Sequence, residues 1–432
     1  MTYARYLEAE RVINEGMIRL GLSLMREEIK PKDPEARMAE MRGFLEECGN
    51  PQKGIPAVHV GGTSGKGSVC SAIAGILTEA GLKVGLHVSP YLQSATEKIW
   101  VADRFVSSDA FADLVDWVTP VALPRVHPDT PASIHGMASV AIALEAFRLE
   151  KVDVMVFEVG CGGRFDLTSF VDTAVAVVTN VGMDHVVSLG PTIENIAWHK
   201  AGIARPSVPL VTGATGDALG PIREEASRVD APLIEIPSRI AGYAHNHAVA
   251  EEASRWVARV LGVSLGKEQI TRGLERVRLA GRSEIMPGDG PRVVLDGAHN
   301  AEKLAVAIDA ALTGAGPGQR IGVVGFLGTK AKPELVKSLE GRFDHIIATE
   351  PNVYAKTSCP TTETAALLTD IGYDATIEPD MFAAVDAAID RAGADGTVLV
   401  TGSFYLVGDI RERWFSKESV VMQQTSWPDP AI

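Results

Sequence analysis

The sequence predicts an α/β protein in which a P-loop-type, doubly wound parallel-sheet domain is followed by a smaller α/β domain. Three observations carry this. Short continuous apolar runs recur with helix-like stretches between them, a glycine-rich turn separates the first run from a helix, and the pattern breaks once at a Gly/Pro-rich stretch before resuming. The first fifty residues read as mainly helical, with Leu20, Leu22 and Leu24 before a charged span and Met38, Met41 and Leu45 at helical spacing after it. From Ala57 the chain changes to AVHV, the turn GGTSGKGS, and a helix from Val69 to Ala80 closed by Gly81. Further strands are expected at KVGLHV (83–88), VDVMVFEV (152–159), TAVAVVTNV (173–181) and VPLVTG (208–213), with a helix over 136–149. Runs apolar along their whole length indicate strands covered on both faces.

A second series runs through RVVLDGAHN (292–300), RIGVVGFLG (320–328), HIIATE (345–350) and TVLVTGS (397–403). The stretch AGRSEIMPGDGP, between the two series, collects Gly and Pro. This divides the chain into a nucleotide-binding domain over 1–285 with a helical start, a ligase-type domain over 286–415, and a tail over 416–432 whose Ser, Gln and Pro predict loose attachment.

Composition excludes several function classes. The 432 residues suffice for two or three domains, and 46% hydrophobic with 22% charged residues excludes a disordered acidic chain. A net charge of −14 and the lack of a polybasic run argue against nucleic acid and anionic membrane as partners, so any phosphate must be held by a local site. Cys48, Cys70, Cys161 and Cys359 are too scattered for a zinc knuckle or a disulfide framework. The charged N-terminus and the absence of a long apolar segment predict a cytoplasmic protein, taken as a monomer.

Chemistry concentrates in Gly61–Ser68. Glycines admit an anion to the backbone, successive N–H groups form a nest at the positive end of a helix, Lys66 neutralises terminal phosphate, and Ser68 is a hydroxyl ligand for Mg²⁺. Gly67 separates Lys66 from Ser68, unlike the usual P-loop. Glu158 ends an apolar strand at the sheet edge where ligands sit, and its carboxylate is placed to bind a cation. Asp184 and His185 follow the TAVAVVTNV strand after a Gly182 turn, where a histidine is a loop residue or a ligand. Lys200, on ENIAWHKAGIA, reads from its own chemistry as a solvated charge.

HVGGTSGKGSV resembles the folylpolyglutamate synthase/dihydrofolate synthase family of the Mur ligase superfamily. FEVGCGGRFDLTS (157–169), TNVGMDHVVSLGPTIENIAWHKAGI (179–203), LDGAHN (295–300) and TGSFYLVGDI (401–410) resemble further motifs of that family, in the same order. The resemblance implies a carboxylate–amine ligase that transfers phosphoryl from ATP to a small-molecule acid and passes the acyl group to an amino acid. It implies glutamate as the amine and dihydropteroate or a folylglutamate as the acid, with a non-pterin acid on the same scaffold as the alternative. It further implies nucleotide binding by Gly62, Thr63, Ser64, Gly65, Lys66, Gly67 and Ser68, with Asn246 or His247 near adenine, and with Arg282 and Asp296. Two Mg²⁺ sites follow from the same resemblance: Ser68 with Glu158, and Glu158 with His185 and a carbamylated Lys200. Lys66, Glu158, His185 and Lys200 are the implied catalytic group, and Phe165, Asp166, His299 and Ser403 the implied substrate contacts.

The chain departs from the family motifs at particular places. Ser64 stands for an asparagine, Tyr91 for a histidine, Lys98 for an arginine, His135 for an acid, Ala138 for a hydroxyl residue and Ser169 for an asparagine, and TKA (329–331) retains only Lys330 of a DKD pattern. Phosphate and metal residues are kept, while changes gather where the family handles its pterin.

Overall fold

The computed structural model describes residues 2–19, 33–127, 129–237, 242–328, 333–353 and 357–429. Leu20, Leu22, Leu24 and the segment 329–331, with Lys330, lie outside the described residues. The chain forms two compact units, Met1–Tyr91 with Ala95–Arg278, and Leu92–Ser94 with Leu279–Ile432.

The first unit holds an eight-stranded sheet in the order β4-β3-β2-β5-β1-β6-β7-β8. Its strands are β1 (Pro56–Gly61), β2 (Val84–His87), β3 (Ile99–Val101), β4 (Arg104–Phe105), β5 (Val154–Glu158), β6 (Asp172–Val178), β7 (Leu210–Thr212) and β8 (Leu233–Glu235). All pairings are parallel except those of β3 and β4 at one edge. β5 is buried at every residue, and β1 at all but its first, as a strand sandwiched between helix layers must be. The chain crosses from β1 to β2 on one side and from β5 to β6 on the other, so the carboxyl ends of β1, β5 and β6 bound the crevice where a doubly wound sheet takes ligands.

The helix Lys66–Glu79 leaves β1 through the glycine turn and buries Val69, Ile73, Ile76 and Leu77 against Val58, Val60, Val156 and Val177 of the sheet. It is clamped from outside by the helix Lys267–Glu275, and the two backbones touch at a pair of glycines. A methyl on Gly273 would lie 2.4 Å from Ile76 Cα, and one on Gly75 would lie 2.6 Å from the Gly273 carbonyl oxygen. Neither position has room for a side chain, so these glycines set how closely the phosphate-turn helix is held.

The second unit holds a six-stranded sheet in the order β13-β12-β11-β14-β10-β9. Its strands are β9 (Glu284–Ile285), β10 (Arg292–Asp296), β11 (Arg320–Val324), β12 (His345–Ala348), β13 (Thr376–Ile377) and β14 (Thr397–Thr401), all parallel except β9. The C-terminal stretch is more firmly attached than its composition predicts. A helix over Lys417–Gln423 buries Val420 and Val421 completely, Trp427 Nε1 donates to Glu284 Oε1 at 2.7 Å, and the Ser426 carbonyl accepts from Arg411. Arg411 is fully buried, with Nε and Nη2 donating to Glu284 at 2.9 and 2.8 Å and Nη1 donating to Gln93. A buried guanidinium needs its donors satisfied, and 93, 284 and 426 satisfy them.

Among the described residues no helix is long and apolar enough to cross a membrane.

Gly273→Ala is expected to lower the stability of the first unit by about 1–3 kcal/mol, because backbone rather than a flexible side chain must give way; urea unfolding measures it. A second expectation concerns acid. His87 is buried and stacked on Phe157 at 4.3 Å, and burial holds its imidazole near 3, well under the ordinary 6.5. The unfolded chain therefore binds a proton that the folded chain refuses, and this contribution to stability declines as pH falls from about 6.5 towards 3. His87→Phe should flatten the pH dependence of the unfolding midpoint across that window.

Candidate functional site

The phosphate turn is built by exclusion and moored from one side. Gly62 and Gly65 have φ of +146° and +75°, and a methyl on Gly62 would sit 1.9 Å from Thr179 Oγ1. A methyl on Gly65 would sit 2.7 Å from Asn246 Oδ1, which places Asn246, on the helix Gly242–Leu261, directly over the turn. Asn180 Oδ1 accepts from the N–H groups of Thr63 and Ser64 at 3.2 and 2.8 Å, Thr179 Oγ1 donates to the Ser64 carbonyl at 2.7 Å, and Gly182 N donates to Thr63 Oγ1 at 2.9 Å. This leaves the first turn of the helix, at Lys66, Gly67 and Ser68, with N–H groups that no intrahelical carbonyl can meet. Gly65 caps the helix without a side chain, and among the described residues no side-chain cap hydrogen bond closes that positive end. The Ser64 hydroxyl is buried beside it without a hydrogen-bond partner among the described residues.

Glu158 faces this helix end. It is 5% exposed, sits opposite Val60 at the end of β5, and accepts from Ser89 N at 2.8 Å through Oε2. Its Oε1 is 4.0 Å from Lys66 Nζ, which also donates to the Gly62 carbonyl at 3.2 Å. A methyl on Gly67 would lie 3.9 Å from Glu158 Oε2, so the carboxylate reaches the turn that carries Ser68. A hydroxyl and a carboxylate at the positive end of a helix are hard oxygen donors of the kind Mg²⁺ takes beside phosphate. This pair fits the ion.

The second implied metal group is not assembled in the same way. Asp184 and His185 lie at the start of the short helix Val186–Leu189. His185 has φ +52°, its side chain is 51% exposed, and Nε2 is 3.9 Å from Asp184 Oδ2. Lys200 is 3% exposed on the helix Ile193–Ala201. Among the described residues no three His, Cys, Asp or Glu side chains converge as a metal cage.

The loop 159–168 packs against that helix through its glycines, since a methyl on Gly163 would meet the His199 carbonyl at 2.9 Å and the Lys200 carbonyl at 3.0 Å. Cys161 lies on this loop. Burial raises its thiol, Asp166 raises it further, and the positive charges of Lys200, Arg37 and Lys66 pull the other way, which puts the loop within the field of both Lys66 and Lys200.

Asp166, an implied substrate contact, is held by hydrogen bonds from its own loop. It is 3% exposed, and its oxygens accept from Cys161 N at 2.9 Å, Thr168 N at 3.0 Å and Thr168 Oγ1 at 2.6 Å. A carboxylate so saturated shapes the loop. Thr168 Oγ1 is also 2.8 Å from His59 Nε2; with its proton given to Asp166, it accepts from His59, whose Nδ1 is then the bare, buried nitrogen. Phe165 instead joins a ring cluster with Trp198 and His199, at 6.2 and 6.0 Å between centroids.

In the second unit, Asp296 is the last residue of β10 and Ser403 lies two residues past the end of the adjacent β14, the strands being in register at Asp296 and Thr401. Asp296 is 6% exposed and accepts from Ser283 N at 2.7 Å, Ser283 Oγ at 3.1 Å and Ala298 N at 2.9 Å. Burial lifts its carboxyl above the usual range, against the pull of Arg282 and these donors. Arg282 lies over the Phe404 ring at 4.7 Å. His299 Nδ1 is 2.9 Å from the Gly297 carbonyl. Ser403 is buried and caps the helix Phe404–Arg411 by accepting from Tyr405 N at 3.2 Å. Ala298 accepts from Gly402 N, tying the two loops together.

Sequence reasoning missed Asn180, Thr179 and Ser89, because TNVG reads as a strand end and SPY as a turn; no motif spacing announces a mooring hydrogen bond. Asn180→Ala should weaken nucleotide binding about tenfold, since two N–H groups lose the acceptor that orients the turn, with little change in unfolding midpoint. Calorimetric titration with ADP, alongside thermal unfolding, checks it.

Comparison with known proteins agrees with this geometry. The Mur ligase middle domain matches residues 60–217, and the Mur ligase glutamate ligase domain matches residues 281–404. The chain is 32% identical over 424 residues to the dihydrofolate synthase/folylpolyglutamate synthase of Bacillus subtilis, covering 87% of this chain and 94% of that protein. It is 31% identical over 427 residues to a probable bifunctional folylpolyglutamate synthase/dihydropteroate synthase of Haloferax volcanii, covering 87% of this chain and 48% of that longer protein, so it spans about half the relative's length. The solved Escherichia coli FolC in complex with DHPP and ADP superposes with a TM-score of 0.73 at 27% identity, covering 91% of this chain and 96% of that one. With the phosphate turn, the acid opposite it and both domains matched in order, the chain belongs to the folylpolyglutamate synthase/dihydrofolate synthase family of Mur ligases.

Proposed function

We propose that the protein is an ATP-dependent acid–amino-acid ligase, adding glutamate to dihydropteroate or to a folylglutamate through an acyl phosphate. The observation that carries this is the Gly62–Ser68 turn, which presents uncommitted N–H groups and Lys66 to an anion, with the Glu158 carboxylate 4.0 Å from the lysine. Family membership supplies the ligation chemistry.

The acid's carboxylate oxygen attacks the terminal phosphorus of ATP, the bond to ADP breaks, and the acyl phosphate results. The amine of glutamate then adds to the acyl carbon, loses a proton, and expels phosphate. Lys66 and the helix N-terminus offset the charge of the transferred group, so the chain's contribution is chiefly positioning and neutralisation. Ser68 and Glu158 would hold Mg²⁺, which when bound neutralises nucleotide phosphate charge. In the second unit, Arg282 and Asp296 are assigned to the nucleotide, and His299 and Ser403 to the incoming amino acid. Lys200 is assigned as the carbamylated lysine and His185 as its companion at a second metal. Asn246, above Gly65, is assigned to the nucleotide base side.

ADP formation should require both the acid and the amine, and Lys66→Ala should lower kcat/KM by about a thousandfold or more. ADP accumulating at the wild-type rate without an amine acceptor would instead make the protein a kinase. Protein equilibrated with ¹³C-labelled bicarbonate should give a carbamate carbon resonance that is absent in Lys200→Ala; the same resonance in both would remove the assignment.

A further inference from the structure

The stretch 416–429, which its composition predicts to be loose, reaches a buried carboxylate of the second unit. Glu284, on β9, takes two donors on each oxygen. Its Oε1 accepts from Arg411 Nη2 at 2.8 Å and from Trp427 Nε1 at 2.7 Å, and its Oε2 accepts from Arg411 Nε at 2.9 Å and from Gly281 N at 2.8 Å. Arg411 is itself fully buried, and its further donors go to Gln93 and the Ser426 carbonyl.

A carboxylate gripped in this way fixes the loop beside it, residues 281–283. Gly281 gives its N–H to Glu284 and accepts from Gly297 N at 2.9 Å through its carbonyl. Ser283 gives its N–H and hydroxyl to Asp296 Oδ2 at 2.7 and 3.1 Å. Gly281 and Ser283 have φ of +67° and +46°, and a serine keeps that left-handed conformation only where its surroundings impose it. Arg282 stands between these two anchored residues, with its guanidinium 4.7 Å over the Phe404 ring. The helix Phe404–Arg411 therefore holds the loop from both of its ends, its first residue lying under Arg282 and its last gripping Glu284.

Trp427 completes this arrangement from outside the helix. A buried carboxylate oxygen that loses a donor is costly unless it swings towards another partner. Both oxygens belong to one planar group, so a swing of Oε1 withdraws Oε2 from Gly281 N. The bidentate grip of Arg411 fixes the plane of the carboxylate, and the indole N–H fixes its seat.

We propose that Trp427 is a positioning residue for the nucleotide, acting through Glu284 and the Gly281 N–H on the loop that presents Arg282. The stretch 416–429 then belongs to the working apparatus of the ligase domain. This rests on the assignment of Arg282 to the nucleotide.

The test titrates the ATP analogue AMPPCP, with Mg²⁺, into wild type, Trp427→Phe, Arg282→Ala and the double variant. Trp427→Phe removes the N–H and keeps an aromatic ring in place. It should raise Kd about threefold to tenfold, and Arg282→Ala should raise it about tenfold or more. The double variant should bind no more weakly than Arg282→Ala alone, because a residue that acts through the arginine then has nothing to act on. Wild-type affinity in Trp427→Phe would overturn the proposal. So would a Trp427→Phe loss of the same fold with and without Arg282, which general loosening of the unit produces. Unchanged affinity in Arg282→Ala would remove the arginine from the nucleotide, and the proposal with it. ADP formation by wild type supplied with dihydropteroate and glutamate judges the ligase reading separately. Turnover there with independent losses rejects the positioning role alone, whereas coupled losses without turnover reject the ligation reading alone.

Discussion

The structure depends on keeping the amino-terminal end of the helix Lys66–Glu79 free for an anion. Four N–H groups at a helix start normally find a capping side chain, yet here Gly65 caps without one and the neighbouring turn is tied back by Asn180, Thr179 and Gly182 instead. The helix is pinned by the sheet on one side and by the Gly75–Gly273 contact on the other. A positive helix end and a buried carboxylate on the end of β5 thereby face one another, with Lys66 Nζ 4.0 Å from the carboxylate.

From that constraint the remaining features of the first unit follow. Parallel strands are required to bring the ends of β1, β5 and β6 to one edge, and they are buried on both faces, which explains the unbroken apolar runs. The loop after β5 must be tight to run beside Lys200, and Asp166 with Thr168 and His59 supplies the internal hydrogen bonds that a glycine-rich loop lacks. In the second unit the same logic places Asp296 at the end of β10 and Ser403 just past the end of β14, with Ser283 and Ala298 orienting the carboxylate.

Much of this was legible in the sequence because it rests on local pattern. Apolar runs marked β1, β2, β5, β6, β7, β10, β11, β12 and β14, whereas β3, β4, β8, β9 and β13, two or three residues each, have too little pattern to read. Lys66 and Glu158 were legible because a lysine in a glycine turn and an acid ending an apolar strand are locally conspicuous. The hydrogen bonds that hold Asp166 were not legible, because its motif position says nothing of which donors surround it. The end of the chain was misread because its attachment depends on Glu284 and Arg411, remote in sequence, and not on its own composition.

The central claim, that the phosphate turn delivers a phosphoryl group to an acid before the amide forms, is tested most directly by isotope transfer. The acid is labelled with ¹⁸O in its carboxylate and turned over with ATP and glutamate, and the released phosphate is analysed by mass spectrometry or ³¹P NMR. The account predicts that each phosphate carries one oxygen from the acid. Phosphate bearing no label, with amide formed, would contradict it.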